Sequence, residues 1–284
     1  DSRNVAVGFS AGVNLATGTD NTLIGSLAGD ALTTGFHNVA VGHDALGGCD
    51  DGINNVAVGL QCIVANCGDH NTGVGKDCLK DLTGSDTTAI GNAAGIACTS
   101  GNNNTFLGHD AGRSGSPGGE ITTGDNRVHI GDENVTDAEI QVSFSVASDQ
   151  RDKTDFTALD VGLDFVKQLK PYTFRWDKRS KYGDKYADDY DLLDQVPDGT
   201  HKEPQLDIGF KAQEVEVLEE AAGYKIADKT NLTTKLSDDG KQYSMKYEKF
   251  VPILVKSVQE LSAENDALKT EIAAIKNRLD ALED

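Results

Sequence analysis

The chain has 284 residues, enough for two domains, and carries a net charge of −20 from 26 Lys and Arg against 46 Asp and Glu. Such a charge repels a phosphate backbone and an anionic membrane surface, which excludes nucleic acid as a partner and argues against a lipid surface. No apolar run approaches the ~18 residues that span a bilayer, so membrane insertion is excluded as well. The opening residues lack a signal-peptide pattern, and a start at Asp1 rather than Met is expected of a piece of a longer chain. Composition then divides the chain. Of 31 Gly, 23 precede residue 120, all five Cys fall between Cys49 and Cys98, and all seven Tyr and the one Trp follow residue 170. The shift puts a domain boundary between residues 120 and 150.

Residues 1–119 are a repeat. The phrase Asn4-Val5-Ala6-Val7-Gly8 returns at Asn21, Asn38, Asn55, Asn71, Thr87 and Asn104, in steps of 16 or 17 residues. So regular a period predicts a solenoid, and turns this short suit a narrow β-roll or β-helix rather than helix pairs. The four residues before each Gly read as a short strand, and the Gly as a point of close backbone approach. The fourth motif position is always Val, Ile or Leu, which predicts that it lines the interior, and the recurring Asn predicts a hydrogen-bonded ladder. Three residues after each Gly stands Ala or Cys, so Cys62 and Cys78 read as small buried side chains. Cys49 and Cys98 share the phase of Leu15, Leu32 and Leu82 and read the same way. With no CxxC pair and an odd count, neither a disulfide framework nor a metal site is expected, and no cofactor is implied. His43 and His109 share a phase and read as solvated rather than as an ion-binding ring. A coil this thin, with few aromatics, buries little area alone. That predicts a homotrimer, with the third motif position as the candidate contact face. The repeats resemble the Asn-x-Ala-Val-Gly coils of trimeric β-rolls in adhesin heads and virus fibres. A glycan hydrolase on this half would need two converging carboxylates, and the loop Asp residues offer no such pair.

Residues 120–147 read as a β linker. Asn126 to Gly131 echoes the motif, and Gln141 to Val146 alternates as a strand should. Residues 148–250 read as an α/β unit. Its elements are a helix from Ala158 to Leu169, a strand from Tyr172 to Trp176, a helix opening near Ile208 and running to Ala222, and a hairpin from Tyr224 to Tyr247 turning at Asp238-Asp239-Gly240. Residues 177–206 are polar and Tyr-rich. Tyr182, Tyr186 and Tyr190 recur every four residues, and so long a loop predicts an arm that reaches the fibre. Residues 251–284 carry heptads, with Val258, Asn265, Ile272 and Leu279 at a and Leu261, Leu268, Ile275 and Leu282 at d. Ile at both core positions favours a trimeric coiled coil, with Asn265 setting register.

The hexapeptide Ser148-Asp149-Gln150-Arg151-Asp152-Lys153 places a hydroxyl and an amine five residues apart at the seam. A serine becomes a nucleophile when a neutral lysine takes its proton, and Ser-Lys pairs recur as variants of the Ser-His-Asp arrangement. A free lysine titrates near about 10.4, so burial or a neighbouring cation, for which Arg151 is the nearest source, must favour the neutral form.

Four ordered motifs complete the pattern. They are Ser148-Asp149-x-Arg151-x-Lys153; Leu169-Lys170-Pro171-x-x-Phe174-x-Trp176; Ile208-Gly209-Phe210-x-Ala212-Gln213-Glu214-Val215; and Tyr247 followed by Pro252-Ile253-Leu254-Val255-x-x-Val258-Gln259-Glu260-Leu261. Residues 148–284 thereby resemble the intramolecular chaperone domain of endosialidase and related phage tail fibres (peptidase family S74). The resemblance implies a domain that trimerises, assists folding of the fibre before it, and releases itself by autocleavage. Carried over, Ser148 is the nucleophile, Lys153 the base, and Ala147–Ser148 the scissile bond. It further implies a virion appendage, with an upstream fibre or baseplate protein and a host-surface receptor or glycan as partners. The alternative reading is a receptor-binding fibre tip whose C-terminal domain is retained uncleaved for trimerisation and adhesion.

Overall fold

The computed structural model describes residues 2–187 and 189–283. Asp1 of the expected solenoid, Asp188 of the expected arm and Asp284 of the expected coil lie outside the described residues. The chain forms two compact units. One comprises residues 1–138, 177–203 and 236–242; the other comprises residues 139–176, 204–235 and 243–284.

The first unit is built on eight three-residue strands: β1 (Val5–Val7), β2 (Thr22–Ile24), β3 (Val39–Val41), β4 (Val56–Val58), β5 (Thr72–Val74), β6 (Thr88–Ile90), β7 (Thr105–Leu107) and β8 (Val128–Ile130). They pair in parallel in chain order, each strictly in register with the next, as in Val39↔Val56 and Ala40↔Ala57. This is the expected β-solenoid, and the echo at Asn126 to Gly131 supplies its eighth strand. The motif glycines stack closely. Gly25 has φ 139°, and a Cβ there would stand 2.3 Å from the carbonyl oxygen of Gly42, so only Gly fits. The residue before each motif, such as His37, Asn54 or Asp86, adopts a left-handed conformation, which Asn, Asp and His tolerate best among non-Gly residues.

The Asn ladder forms. The Oδ1 of Asn21 accepts from the backbone N–H of Asn38 at 2.9 Å, and that of Asn38 from Asn55 at 2.9 Å. Thr87 takes one rung with its hydroxyl, accepting from Asn104 at 3.4 Å. Each buried Asn also donates to a loop carbonyl, as Asn38 does to Gly52 at 2.7 Å, so both ends of the amide are satisfied.

The inward face differs from the expected one. The third motif position is buried, in Leu23, Ala40, Ala57, Ala89 and Phe106, whereas the fourth faces outward, in Val7, Ile24, Val74 and Ile90. The third position therefore lies inside the coil and is not a face for association. Strand alternation couples positions one and three, so the buried Asn fixes the parity. Hydropathy misleads here because the coil is narrow. Leu32, Leu46, Leu79, Leu82 and the cysteines fill much of the interior from the opposite walls, so Ala suffices at Ala40, Ala57 and Ala89 while Leu23 and Phe106 take more of it. Cys49, Cys62, Cys78 and Cys98 are fully buried in this core, and Cys67 joins them, its Sγ 3.0 Å from that of Cys49.

The second unit has its own core of Val161, Phe165, Val215, Phe250 and Ile253. Helix α1 (Leu163–Gln168) is half the expected length, because Gly162 at its N-cap lies outside helical geometry; Leu169 leaves helical geometry before Pro171. Strand β9 (Tyr172–Phe174) pairs antiparallel with β10 (Asp207–Gly209). The second expected helix accordingly opens later, as α2 (Ala212–Ala221), because Asp207 to Gly209 is taken by the sheet. Strands β11 (Thr234–Leu236) and β12 (Tyr243–Met245) form the expected hairpin, shorter than its sequence limits. Glu219 of α2 is buried and braces the approach to β11, accepting from both the backbone and hydroxyl of Thr233 and from the Thr234 hydroxyl. Helix α3 (Phe250–Glu283) runs 34 residues. Glu260 on α3 accepts from Leu163 N–H at 2.6 Å and so holds α3 against the start of α1. The segment 141–146 forms no strand; Val142, Phe144 and Val146 are each more than 70% exposed, since no strand among the described residues pairs with them.

Candidate functional site

Ser148 and Lys153 lie on either side of a single 3-10 turn, Gln150–Asp152. Asp149 caps that turn by accepting from the Arg151 backbone N–H at 2.9 Å, and Lys153 ends it with its own N–H on Gln150. The turn folds the chain back by the amount that brings the two side chains together. Lys153 Nζ donates to Ser148 Oγ at 2.6 Å and lies 3.4 Å from the Ser148 carbonyl oxygen. Arg151 takes a different role from the one its proximity suggests: its guanidinium is bound to the Asp149 carboxylate at 2.6 Å, away from the lysine. That pairing holds the Asp149 carboxyl below and the guanidinium above their ordinary ranges. Ala147, Ser148 and Lys153 are all exposed in the single chain.

The turn also restricts which backbone donors are open. Arg151, Asp152 and Lys153 spend their N–H groups inside it, on the Asp149 carboxylate, the Asp149 carbonyl and the Gln150 carbonyl. A hydroxyl aligned with an amine on a preformed turn, next to an exposed peptide, has the parts of a chain-cleaving dyad.

Residues 148–224 match the family model described as chaperone of endosialidase. The segment is similar to that family. The match begins at Ser148 and covers the first three sequence motifs; the fourth, from Tyr247 to Leu261, follows it. No curated protein matches the chain, and no solved structure does. The segment that matches this model follows a β-solenoid in chain order.

The coil positions are open. On α3, Val258, Leu261, Leu268, Ile272, Ile275, Leu279 and Leu282 are 53–83% exposed, and Asn265 lies exposed among them. No described helix is long and apolar enough to cross a membrane. The Tyr-rich arm does reach the solenoid, within the first unit. Tyr186 donates to Asp110 at 3.1 Å, and Lys185 lies 2.9 Å from Asp110 and 2.7 Å from Glu133. Tyr182 instead organises the arm itself, donating to Asp177 and accepting from Gly199.

One trio among the described residues, His109, Asp110 and Asp132, brings metal-ligand atoms within 4.8 Å of one another. Lys185 already neutralises Asp110 there, and His109 Nδ1 lies 3.3 Å from Asp132. Sequence phase flagged His109 alone. Its acidic neighbours are Asp110, next to it in sequence, and Asp132 of the following turn, which succeeds Gly131 as His109 succeeds Gly108.

Proposed function

We propose that this chain is the C-terminal part of a homotrimeric phage tail fibre or related appendage whose chaperone domain trimerises the fibre, guides its folding and cuts itself off before Ser148. The observation that carries this reading is the 2.6 Å contact between Lys153 Nζ and Ser148 Oγ at the first residue of the family match. In the cleavage step, Ser148 Oγ attacks the Ala147 carbonyl carbon while Lys153 takes the hydroxyl proton. The Ala147–Ser148 carbon–nitrogen bond then breaks, its nitrogen is protonated, and an ester joins Ala147 to the serine oxygen. Water hydrolyses the ester, leaving a carboxylate on Ala147 and Ser148 as a new N-terminus. With three N–H groups of the turn already committed, those of Asp149 and Gln150 are its remaining donors for the oxyanion.

Both dyad side chains are open to solvent in one chain, and lysine serves as a base once burial or a nearby cation favours its neutral form. Arg151 is spent on Asp149, so burial by neighbouring chains is the remaining source. Cleavage would then wait for assembly. The exposed Val142, Phe144 and Val146 would find strand partners in the same step. The purpose is physical. Strands in register every 16 or 17 residues can slip by a whole turn at small cost, and three chains can misalign. A C-terminal trimeriser sets the stagger, and its removal leaves the fibre kinetically trapped. The test is the denatured mass of purified protein. Two bands split before Ser148 are expected from wild type, and one band of 30.1 kDa from Ser148→Ala. A trimer of wild-type chains that stays whole at neutral pH would reject the protease.

A further inference from the structure

Chain order and packing disagree at the seam. Residues 177–203 and the hairpin tip 236–242 follow Ser148 in sequence, yet they pack in one compact unit with residues 1–138. A cut before Ser148 therefore separates the two products covalently while leaving this packing intact.

The contact is too deep for a casual one. Lys185 is 12% exposed, between Asp110 at 1% and Glu133 at 4%. Burial alone would pull its ammonium toward the neutral form, but hydrogen bonds to Glu133 and Asp110 outweigh this and push it above its ordinary value. The Tyr186 hydroxyl completes the Asp110 oxygen at 3.1 Å, and the Arg113 guanidinium lies 4.7 Å over the Tyr186 ring. Backbone fit is equally close. A Cβ on Gly115 would stand 2.5 Å from the Ser180 Cβ, and one on Gly119 2.5 Å from that of Ser237. The hairpin tip adds Asp238, which takes both its oxygens to Arg127 at 2.7 and 3.0 Å. Removing the lysine would take buried Glu133's ion-pair partner and leave buried Asp110 with the Arg113 guanidinium at 3.5 Å, and the loss of such a pair acts mainly on the rate of dissociation.

We infer that Lys185 and Tyr186 form a latch that keeps the cleaved C-terminal product on the last solenoid turns, so that cutting the chain and releasing the chaperone are separate events. The partner surface is the fibre's own Asp110 and Glu133. This deepens the proposed function and rests on it, but the latch can be tested apart from self-cleavage.

The experiment uses the full chain with Ser148→Ala and a site-specific protease sequence inserted between Ala147 and residue 148. After complete cutting, the two fragments are expected to co-elute in non-denaturing size exclusion. In Lys185→Glu, and separately in Lys185→Met with Tyr186→Ala, they should separate at least about thirty-fold faster. Lys225→Glu, on the other unit, should leave co-elution unchanged. Uncut variants with the elution volume and far-ultraviolet spectrum of the parent establish that folding is intact, and the two latch variants fail in different ways if one misfolds. Fragments that part at once with the latch intact overturn the inference, as do fragments of both latch variants that stay together as long as the parent's. Failure of the cleavage reading shows separately, as a single band from the wild-type chain without added protease.

Discussion

Lys153 Nζ meets Ser148 Oγ at 2.6 Å across a 3-10 turn that Asp149 caps and Arg151 tightens. The proposed base is thus positioned by local structure alone, before any association. Lys153→Arg should leave the turn folded and place a donor on the hydroxyl, yet stop cleavage, because guanidinium stays protonated. Lys153→Ala should stop it as well. Denatured mass reads both outcomes, and cutting by the Arg variant at the wild-type rate would remove Lys153 as the base.

The Asn ladder gives a graded test of stability. Asn38→Ala strands the buried Asn55 N–H and the Gly52 carbonyl, and should cost roughly 1–3 kcal/mol for each group left unpaired. Asn38→Thr keeps an acceptor, as Thr87 does two turns away from Asn55, and should lose less. Urea unfolding midpoints compare the two; equal losses would mean that the amide's acceptor oxygen contributes nothing.

All five cysteines are buried and free. The contact with Cys78 together with burial pushes the Cys62 thiol up, the contact between Cys49 and Cys67 holds Cys49 down and together with burial raises Cys67, and burial with the nearby Asp125 charge raises Cys98. All five thiols are buried out of reach of a reagent, so they should ignore an aromatic disulfide at pH 8 until the chain unfolds. Release of five equivalents only after denaturant is the expected result, and rapid native labelling of Cys67 would contradict its packing.

Much of this was legible in the sequence because a repeat states its own geometry. The recurring Asn and Gly marked the ladder and the stack, and the phase shared with Leu82 placed Cys98 in the core. The side that faces in was misread, since Val outranks Ala in hydropathy while a narrow coil admits Ala. Cys67 lies outside the phase of Cys49 and Cys98, so the period did not place it, whereas Asp132 follows Gly131 as His109 follows Gly108 and the motif echo could have placed it. Residues 141–146 have the alternation of a strand but no partner strand among the described residues, and propensity cannot supply a ladder. The contact between Ser148 and Lys153 was legible by spacing, whereas the diversion of Arg151 to Asp149 depends on the cap geometry of the turn.

The heptad stripe on α3 tests association directly. Ile272 and Ile275 are 64% and 55% exposed, so Ile272→Asp with Ile275→Asp removes no contact within the single chain. If the stripe sets the trimer's stagger, the double variant should aggregate while wild type gives a trimer mass by multi-angle scattering. A variant with unchanged mass would place the trimer contact elsewhere.

The inward face of the solenoid yields the sharpest contrast, because adjacent residues of β2 point opposite ways. Leu23 is fully buried and Ile24 is 41% exposed. Leu23→Asp puts a carboxylate into a core with no cation to meet it, and should abolish folding of the repeats. Ile24→Asp leaves the coil interior untouched, so the chain should keep its β signal in the far ultraviolet. The outward row of Val7, Ile24, Val41 and Val58 is nevertheless apolar where a solitary strand would be polar. In the proposed trimer this row is the face that neighbouring chains would cover. Ile24→Asp should therefore weaken association without unfolding the coil, seen as a lower trimer fraction at equal concentration. Reversal of the two outcomes would return the fourth motif position to the interior and with it the original reading of the repeat.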